Sequence, residues 1–169
     1  SPSWSETVSM DDLVERNDFY YKKFTDVPFT GEVSGQSTGK FKKGKKNGMW
    51  LSYHQNGQLS FKGRYKGGKQ DGLQELYHDN GQLLSKINYK DGKVGDGLWE
   101  TYYQDGRLSD KNNWEGGKLE GFSGTYHGNG RLYESGYYKD GKPHGIFKYF
   151  NQDGSREKTL TYKNGERVD

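Results

Sequence analysis

A single glycine position constrains most of the chain. Gly48 returns as Gly72, Gly97, Gly121 and Gly145, at spacings of 24, 25, 24 and 24 residues. With Gly48 as offset zero, offset five reads Tyr53, Tyr77, Tyr102, Tyr126 and Phe150. Offsets eight and nine read Asn56-Gly57, Asn80-Gly81, Asp105-Gly106, Asn129-Gly130 and Asp153-Gly154. Offset eleven is Leu59, Leu83, Leu108, Leu132 and Arg156, and offset seventeen is Tyr65, Tyr89, Trp114, Tyr138 and Tyr162. Offset twenty is again glycine, from Gly68 to Gly165. Self-similarity at this period marks a supersecondary unit stacked on its own copies. Asn-Gly and Asp-Gly between short aromatic and aliphatic runs are the strongest local hairpin signal. Each repeat therefore reads as one β-hairpin, and the chain as a meander of antiparallel strands.

The hairpin loops set the expected register. A three-residue loop at Gln55-Asn56-Gly57, closed by a left-handed glycine, places Tyr53 opposite Leu59. The same loop length at Lys66-Gly67-Gly68 places Tyr65 opposite Lys69. All odd offsets then share one face. Offset one (Met49, Leu73, Leu98, Phe122, Ile146) would join offsets five, eleven and seventeen as the packed side. The even face is mixed and reads as the more solvated one. It carries Trp50 and Trp99 at offset two, with Lys62 opposite Trp50 and Lys111 opposite Trp99.

Composition fits such a sheet and removes several alternatives. Only 28% of residues are hydrophobic and mean hydropathy is −1.23, values that would suggest disorder. Yet Tyr 14, Phe 8 and Trp 4 accompany 26 glycines. That is the composition of a thin sheet covered by rings. No stretch of about 18 apolar residues is present, so no transmembrane helix is expected. Cysteine is absent, which excludes disulfides, thiolate metal sites and a cysteine nucleophile. A net charge of +3 falls short of a dedicated nucleic-acid-binding domain, so nucleic acid is not the expected partner.

Catalytic and metal chemistry find little support. His54, His78 and His127 share offset six, and equivalent residues of successive repeats lie about 9.6 Å apart, two strand spacings. Zinc wants its ligands within about 2.1 Å, so these histidines read as polar residues flanking turns. Glu75 and Glu100 recur at sheet spacing rather than converging in a cleft. The turn glycines precede no helix and form no phosphate loop. The chain is expected to be no enzyme and to need no metal or cofactor. Two surfaces are candidates for binding. One is the even face with Trp50, Trp99, Lys62, Lys111 and Tyr103. The other is the lysine run Lys40, Lys42, Lys43, Lys45 and Lys46, suited to phosphate, an anionic lipid head group or an acidic partner.

The N-terminal part is less regular. Residues 39–47 match the second half of a repeat, and Phe19–Phe24 and Phe29–Val33 read as one or two further strands. Ser9 to Val14 has capping-box form, with Ser9 as N-cap and Asp12 at N3, and predicts one or two helical turns over the first edge strand. The chain opens Ser1-Pro2-Ser3-Trp4-Ser5-Glu6, similar to the end of a secretory signal peptide with a small-x-small site. The alternative is an artificial boundary. The expectation is export to a periplasm or cell envelope, with the cytoplasm as the alternative.

The unit Gly48-Met49-Trp50-Leu51-Ser52-Tyr53-His54-Gln55-Asn56-Gly57-Gln58-Leu59 resembles the MORN repeat in its bacterial variant form, as does Gly97 to Leu108. The segments 16–21 and 27–31 are similar to the lead-in of bacterial antitoxin-like MORN-variant proteins. The resemblance spans about residues 16–165 and implies an all-β fold: an elongated, single-layer antiparallel hairpin repeat of about twelve strands with a short N-terminal helical cap. The expected organisation is a leader remnant or flexible terminus at 1–8, a cap and partial repeat at 9–47, and five repeats at 48–71, 72–96, 97–120, 121–144 and 145–169. The resemblance implies a scaffold that binds another protein, a toxin or a cell-envelope component, through its sheet face. The alternatives are an anionic-lipid or membrane-surface module and a purely structural envelope protein. Partner identity and oligomeric state are left open by the sequence.

Overall fold

A computed structural model of the chain describes residues 5–169. Apart from Ser5, the small-x-small pattern Ser3-Trp4-Ser5 lies outside these residues. The chain divides into two compact units. One runs up to Gly81 and includes Tyr89–Gly92; the other comprises Gln82–Asn88 and Lys93–Asp169.

The first unit contains β1 (Thr7–Val8), β2 (Leu13–Arg16), β3 (Phe19–Lys22), β4 (Gly31–Val33), β5 (Ser37–Lys42), β6 (Lys45–Tyr53), β7 (Leu59–Lys66) and β8 (Lys69–Tyr77). Its sheet has the order β1-β4-β5-β6-β7-β8, antiparallel except that β1 pairs with β4 in parallel. β2 and β3 form a separate hairpin. Leu13 from that hairpin is buried together with Phe29, Val33, Phe41 and Trp50. The single-layer expectation therefore fails at this end, where a second layer covers the start of the sheet. The second unit contains Leu83–Asn88 of β9 (Leu83–Lys90), then β10 (Lys93–Val94), β11 (Gly97–Tyr102), β12 (Leu108–Glu115), β13 (Lys118–Tyr126), β14 (Leu132–Lys139), β15 (Lys142–Phe150), β16 (Arg156–Lys163) and β17 (Glu166–Arg167). From β11 to β17 each strand pairs antiparallel with the next.

The helical cap is corrected. Among the described residues, helix is limited to one 3-10 turn, Met10–Asp12. The capping box does form: Ser9 N–H donates to Asp12 Oδ2 at 2.9 Å, and Asp11 N–H donates to Ser9 Oγ at 3.2 Å. A capping box lowers the cost of starting a helix but supplies nothing to propagate it. Leu13 is already extended and continues into β2, where burying its side chain outweighs another helical turn.

Two kinds of turn alternate along the repeats. The three-residue loop is as expected: His54 N–H donates to Gln58 O at 2.8 Å, Gly57 N–H to His54 O at 2.9 Å, and Gly57 has φ +84°. The other turn has two residues, not three. Gly67 and Gly68 have φ +56° and +85°, so Lys66 opposes Lys69 and Tyr65 opposes Gln70. Two consecutive left-handed residues give the primed turn whose twist matches the flanking strands.

A second correction concerns which face is packed. Tyr53 opposes Leu59 as expected, but Ser52 opposes Phe61, leaving Ser60 as an extra residue. The same offset-twelve residue is skipped at Ser109, Tyr133 and Glu157. One extra residue inverts the alternation beyond it. Trp50 therefore opposes Gly63 and Lys62 opposes Leu51; Trp99 opposes Asn112 and Lys111 opposes Glu100. Rings at offset seventeen join those at offset two. Trp50 lies 5.0 Å from Phe41 and 6.3 Å from Tyr65, and Phe147 lies 5.6 Å from Tyr138 and 5.2 Å from Tyr162, between centroids. Trp50 and Phe147 keep only 2% and 3% of their surface exposed, whereas Met49, Leu73, Leu98 and Ile146 keep 43–54%. The face carrying offset one is the open one.

Glycine makes room for these rings. A Cβ on Gly39 would sit 2.3 Å from the Trp50 indole, and one on Gly136 would sit 2.5 Å from the Phe147 ring. Gly136→Ala is expected to destabilise the second unit by about 1–3 kcal/mol, the usual cost of overpacking. Gly128→Ala, where an added Cβ meets nothing within 4 Å, is the matched control and should be near neutral. Urea denaturation midpoints of the two variants check this.

Candidate functional site

The sequence-predicted residues are scattered by the corrected register. Trp50 is buried, with its indole N–H donating to Lys40 O at 3.3 Å. Lys62 lies on the other face and pairs with Glu75 at 3.4 Å. Trp99 is half-buried against Trp114, their rings 5.8 Å apart. Lys111 is 3.9 Å from Glu100, which also pairs with Lys86 at 3.5 Å. Tyr103 donates its hydroxyl to Tyr126 O at 2.5 Å. The expected surface of tryptophans facing lysines therefore does not exist.

The histidines at offset six do the same work as Tyr103. His54 Nε2 meets Tyr77 O at 2.9 Å and His127 Nε2 meets Phe150 O at 2.8 Å. Each ties one repeat to offset five of the next. No group of three or more metal-ligating side chains occurs among the described residues.

The lysine run is also divided. Lys40 pairs with Glu32 at 3.0 Å. Lys45 Nζ lies over the Phe19 ring at 4.0 Å. Lys46 Nζ lies 4.5 Å from the Trp50 ring and 5.2 Å from Tyr65. Lys42 and Lys43 are exposed, and Lys43 occupies the left-handed position of a turn at φ +50°. The five do not form one basic patch.

Two arrangements remain that have the character of a site. The first is the open face. In the first unit Met49 and Leu73 lie beside Lys62, Arg64 and Glu75 around a shallow depression. In the second unit Leu98 and Ile146 stand exposed at the equivalent strand positions, and Phe122 is half-buried 6.0 Å from Tyr137. Beside them runs a polar ladder. Tyr77 donates to Glu75 at 3.2 Å and Tyr102 donates to Glu100 at 2.9 Å. The expected register places the offset-one row on the packed side; the skipped residue at offset twelve moves the rings to the other face and leaves Met49, Leu73, Leu98 and Ile146 exposed.

The second is a cleft of about 340 Å³ in the first unit, lined by Glu15, Asp18, Tyr20, Lys45, Lys46 and Tyr65 among others. It lies between the β2–β3 hairpin and the turns of β5–β6 and β7–β8. Burial and a hydrogen bond from its hydroxyl to Glu15 push Tyr20 up to about 12. Burial lowers the Lys46 pKa, against a smaller upward pull from Glu15. Glu15, Asp18 and Tyr20 fall outside the repeat pattern, so no column picked them out. The available signal was Asn17-Asp18, both at positive φ, between the alternating runs Leu13–Arg16 and Phe19–Lys22.

The repeat itself is similar to a known one. Three segments, residues 46–66, 70–91 and 143–164, match the family model described as MORN repeat variant. The first and third each span one hairpin, β6–β7 and β15–β16. No curated protein matches the chain.

Tyrosine ionisation provides a test of these environments. Tyr20, Tyr102 and Tyr149 are each raised from 10.0 to about 12, first by burial and then by a neighbouring carboxylate, Glu15, Glu100 or Glu134. The unfolded chain releases these protons first. The stability they confer is therefore complete below pH 10 and is lost as pH rises from 10 through 12. A phenolate absorbance titration should show a late-ionising fraction, with the thermal midpoint falling across that window. Ionisation of every tyrosine near pH 10 at constant midpoint is the contrary outcome.

Proposed function

We propose that the chain is a non-catalytic repeat scaffold that binds another protein through the open face of its hairpin sheet. The observation that carries this reading is the exposed apolar row at offset one in four of the five repeats, Met49, Leu73, Leu98 and Ile146, with Phe122 half-buried in the other. Stability does not explain it, because the packed rings lie on the opposite face. Exposed apolar positions flanked by charge suit a protein contact with an apolar centre and a polar rim. The matches to the MORN repeat variant support a scaffold role, and repeats of this family are generally non-catalytic. We read residues 97–120 and 121–144 as further copies, since they share the offsets and the skipped residue of the matched segments. The resemblance favours a toxin or a cell-envelope protein as the partner.

Leu73→Lys and Ile146→Lys test each unit separately. Both positions are open, so stability should change by no more than about 0.5 kcal/mol. Cross-linked pull-down from the native organism should recover a partner with wild type and with the turn variant Gly128→Ala, and lose it with the face variants. A captured set unaffected by both lysine substitutions would overturn the reading.

A further inference from the structure

The cleft in the first unit is independent of the open face and has a different chemistry. Its walls carry opposite charge: Glu15 and Asp18 from the β2–β3 hairpin, and Lys45, Lys46 and Lys69 from the sheet. Lys46 is the distinctive group. It is half-buried, its ammonium rests on the Trp50 and Tyr65 rings, and no carboxylate among the described residues lies within ion-pair distance of it. The rings satisfy the charge in part but accept none of its hydrogen bonds, which leaves donor capacity toward the cleft. Tyr20 and Tyr65 add two phenol hydroxyls, protonated at neutral pH as tyrosines ordinarily are, and burial raises both further.

The opposite wall differs. Glu15 accepts from Tyr20 and exerts an attractive pull on the Lys46 ammonium, while Asp18 sits exposed in its turn. A simple anion at Lys46 would face these carboxylates, and a simple cation would face three lysines. A molecule with both charges a few bonds apart satisfies each wall. The rim at Gly67-Gly68 carries no side chain, and a Cβ on Gly67 would meet nothing within 4 Å, so this side is open for entry. A volume of 340 Å³ lies at the lower end of the range for small-molecule sites, about 300–1,000 Å³.

We infer that this cleft binds a small zwitterion of the amino-acid type, its carboxylate at Lys46 and its ammonium between Glu15 and Asp18. Binding would pair the half-buried ammonium of Lys46 with a carboxylate, the arrangement that a buried charge requires. It rests on none of the residues of the open face, so either reading can fail while the other stands.

The test is an amide-resolved NMR titration of the full chain with individual L-amino acids, and with acetate and ethylammonium as single-charge probes. Saturable shifts at Glu15, Tyr20, Lys46 and Tyr65 are expected for one or more amino acids, and weaker or no saturation for the single-charge probes. Lys46→Met keeps the stem on the rings and removes the ammonium; it should weaken binding at least about tenfold. Glu15→Gln and Asp18→Asn, at more accessible positions, should abolish the preference for the zwitterion over acetate. Three results overturn the proposal: no saturable shift with any amino acid, equal response to acetate and amino acids in wild type, or unchanged binding in folded Lys46→Met together with Glu15→Gln.

Discussion

A β-strand alternates its side chains with a period of two, so a single unpaired residue inverts everything beyond it. In this chain that residue is the one at offset twelve of the repeat, skipped between Tyr53–Leu59 and Ser52–Phe61 and at the same place in later hairpins. Its effect is to bring the ring at offset two onto the same side as the ring at offset seventeen. Aromatic packing in both units follows from that. So does the exposure of the aliphatic row, because offset one is left on the face opposite the rings of offsets two and seventeen.

The packed face economises on apolar volume. Trp50 and Phe147 cover backbone directly, lying over Gly39 and Gly136 where a methyl group would collide with the ring. Where offset two is polar, the contact becomes a hydrogen bond: Gln74 Nε2 donates to Arg64 O at 3.1 Å, and Ser123 Oγ donates to Asn112 Oδ1 at 2.6 Å. In the first unit a second layer contributes through Leu13 and the β2–β3 hairpin. This explains how so polar a chain orders itself. Rings bury large areas each, and tyrosine keeps its hydroxyl for carbonyls and carboxylates at the sheet surface.

Strands, the three-residue loops and the repeat were legible in the sequence, because Asn-Gly and Asp-Gly carry their backbone preference locally. The packed face was not. Offset twelve reads Ser60, Leu84, Ser109, Tyr133 and Glu157, with no shared chemistry to announce that it stands outside the pairing. Counting that residue into the pairing places offset two and offset seventeen on opposite faces and sets Lys62 opposite Trp50 instead of Leu51. The capping box at Ser9 was correctly read, yet the burial of Leu13 decided the following conformation, and burial is a property of the tertiary fold. The lysine run looked like one patch because its residues are adjacent in sequence. Strand alternation and a turn send them to a carboxylate, to rings and to solvent. The cleft walls come from segments whose meeting no local pattern records.

The side-chain links between repeats have short reach. His54 to Tyr77, Asn56 to Asp79, Tyr103 to Tyr126, His127 to Phe150 and Asn129 to Gln152 each span 23 residues. Every such bond joins a hairpin only to its immediate successor. Contact order is therefore low, and a newly synthesised hairpin can dock as soon as the one before it is complete. The same locality makes the array easy to lengthen or shorten by gene duplication. Insertion of one whole repeat breaks one set of junction bonds and restores an equivalent set, whereas insertion of half a repeat leaves histidine and carbonyl out of step.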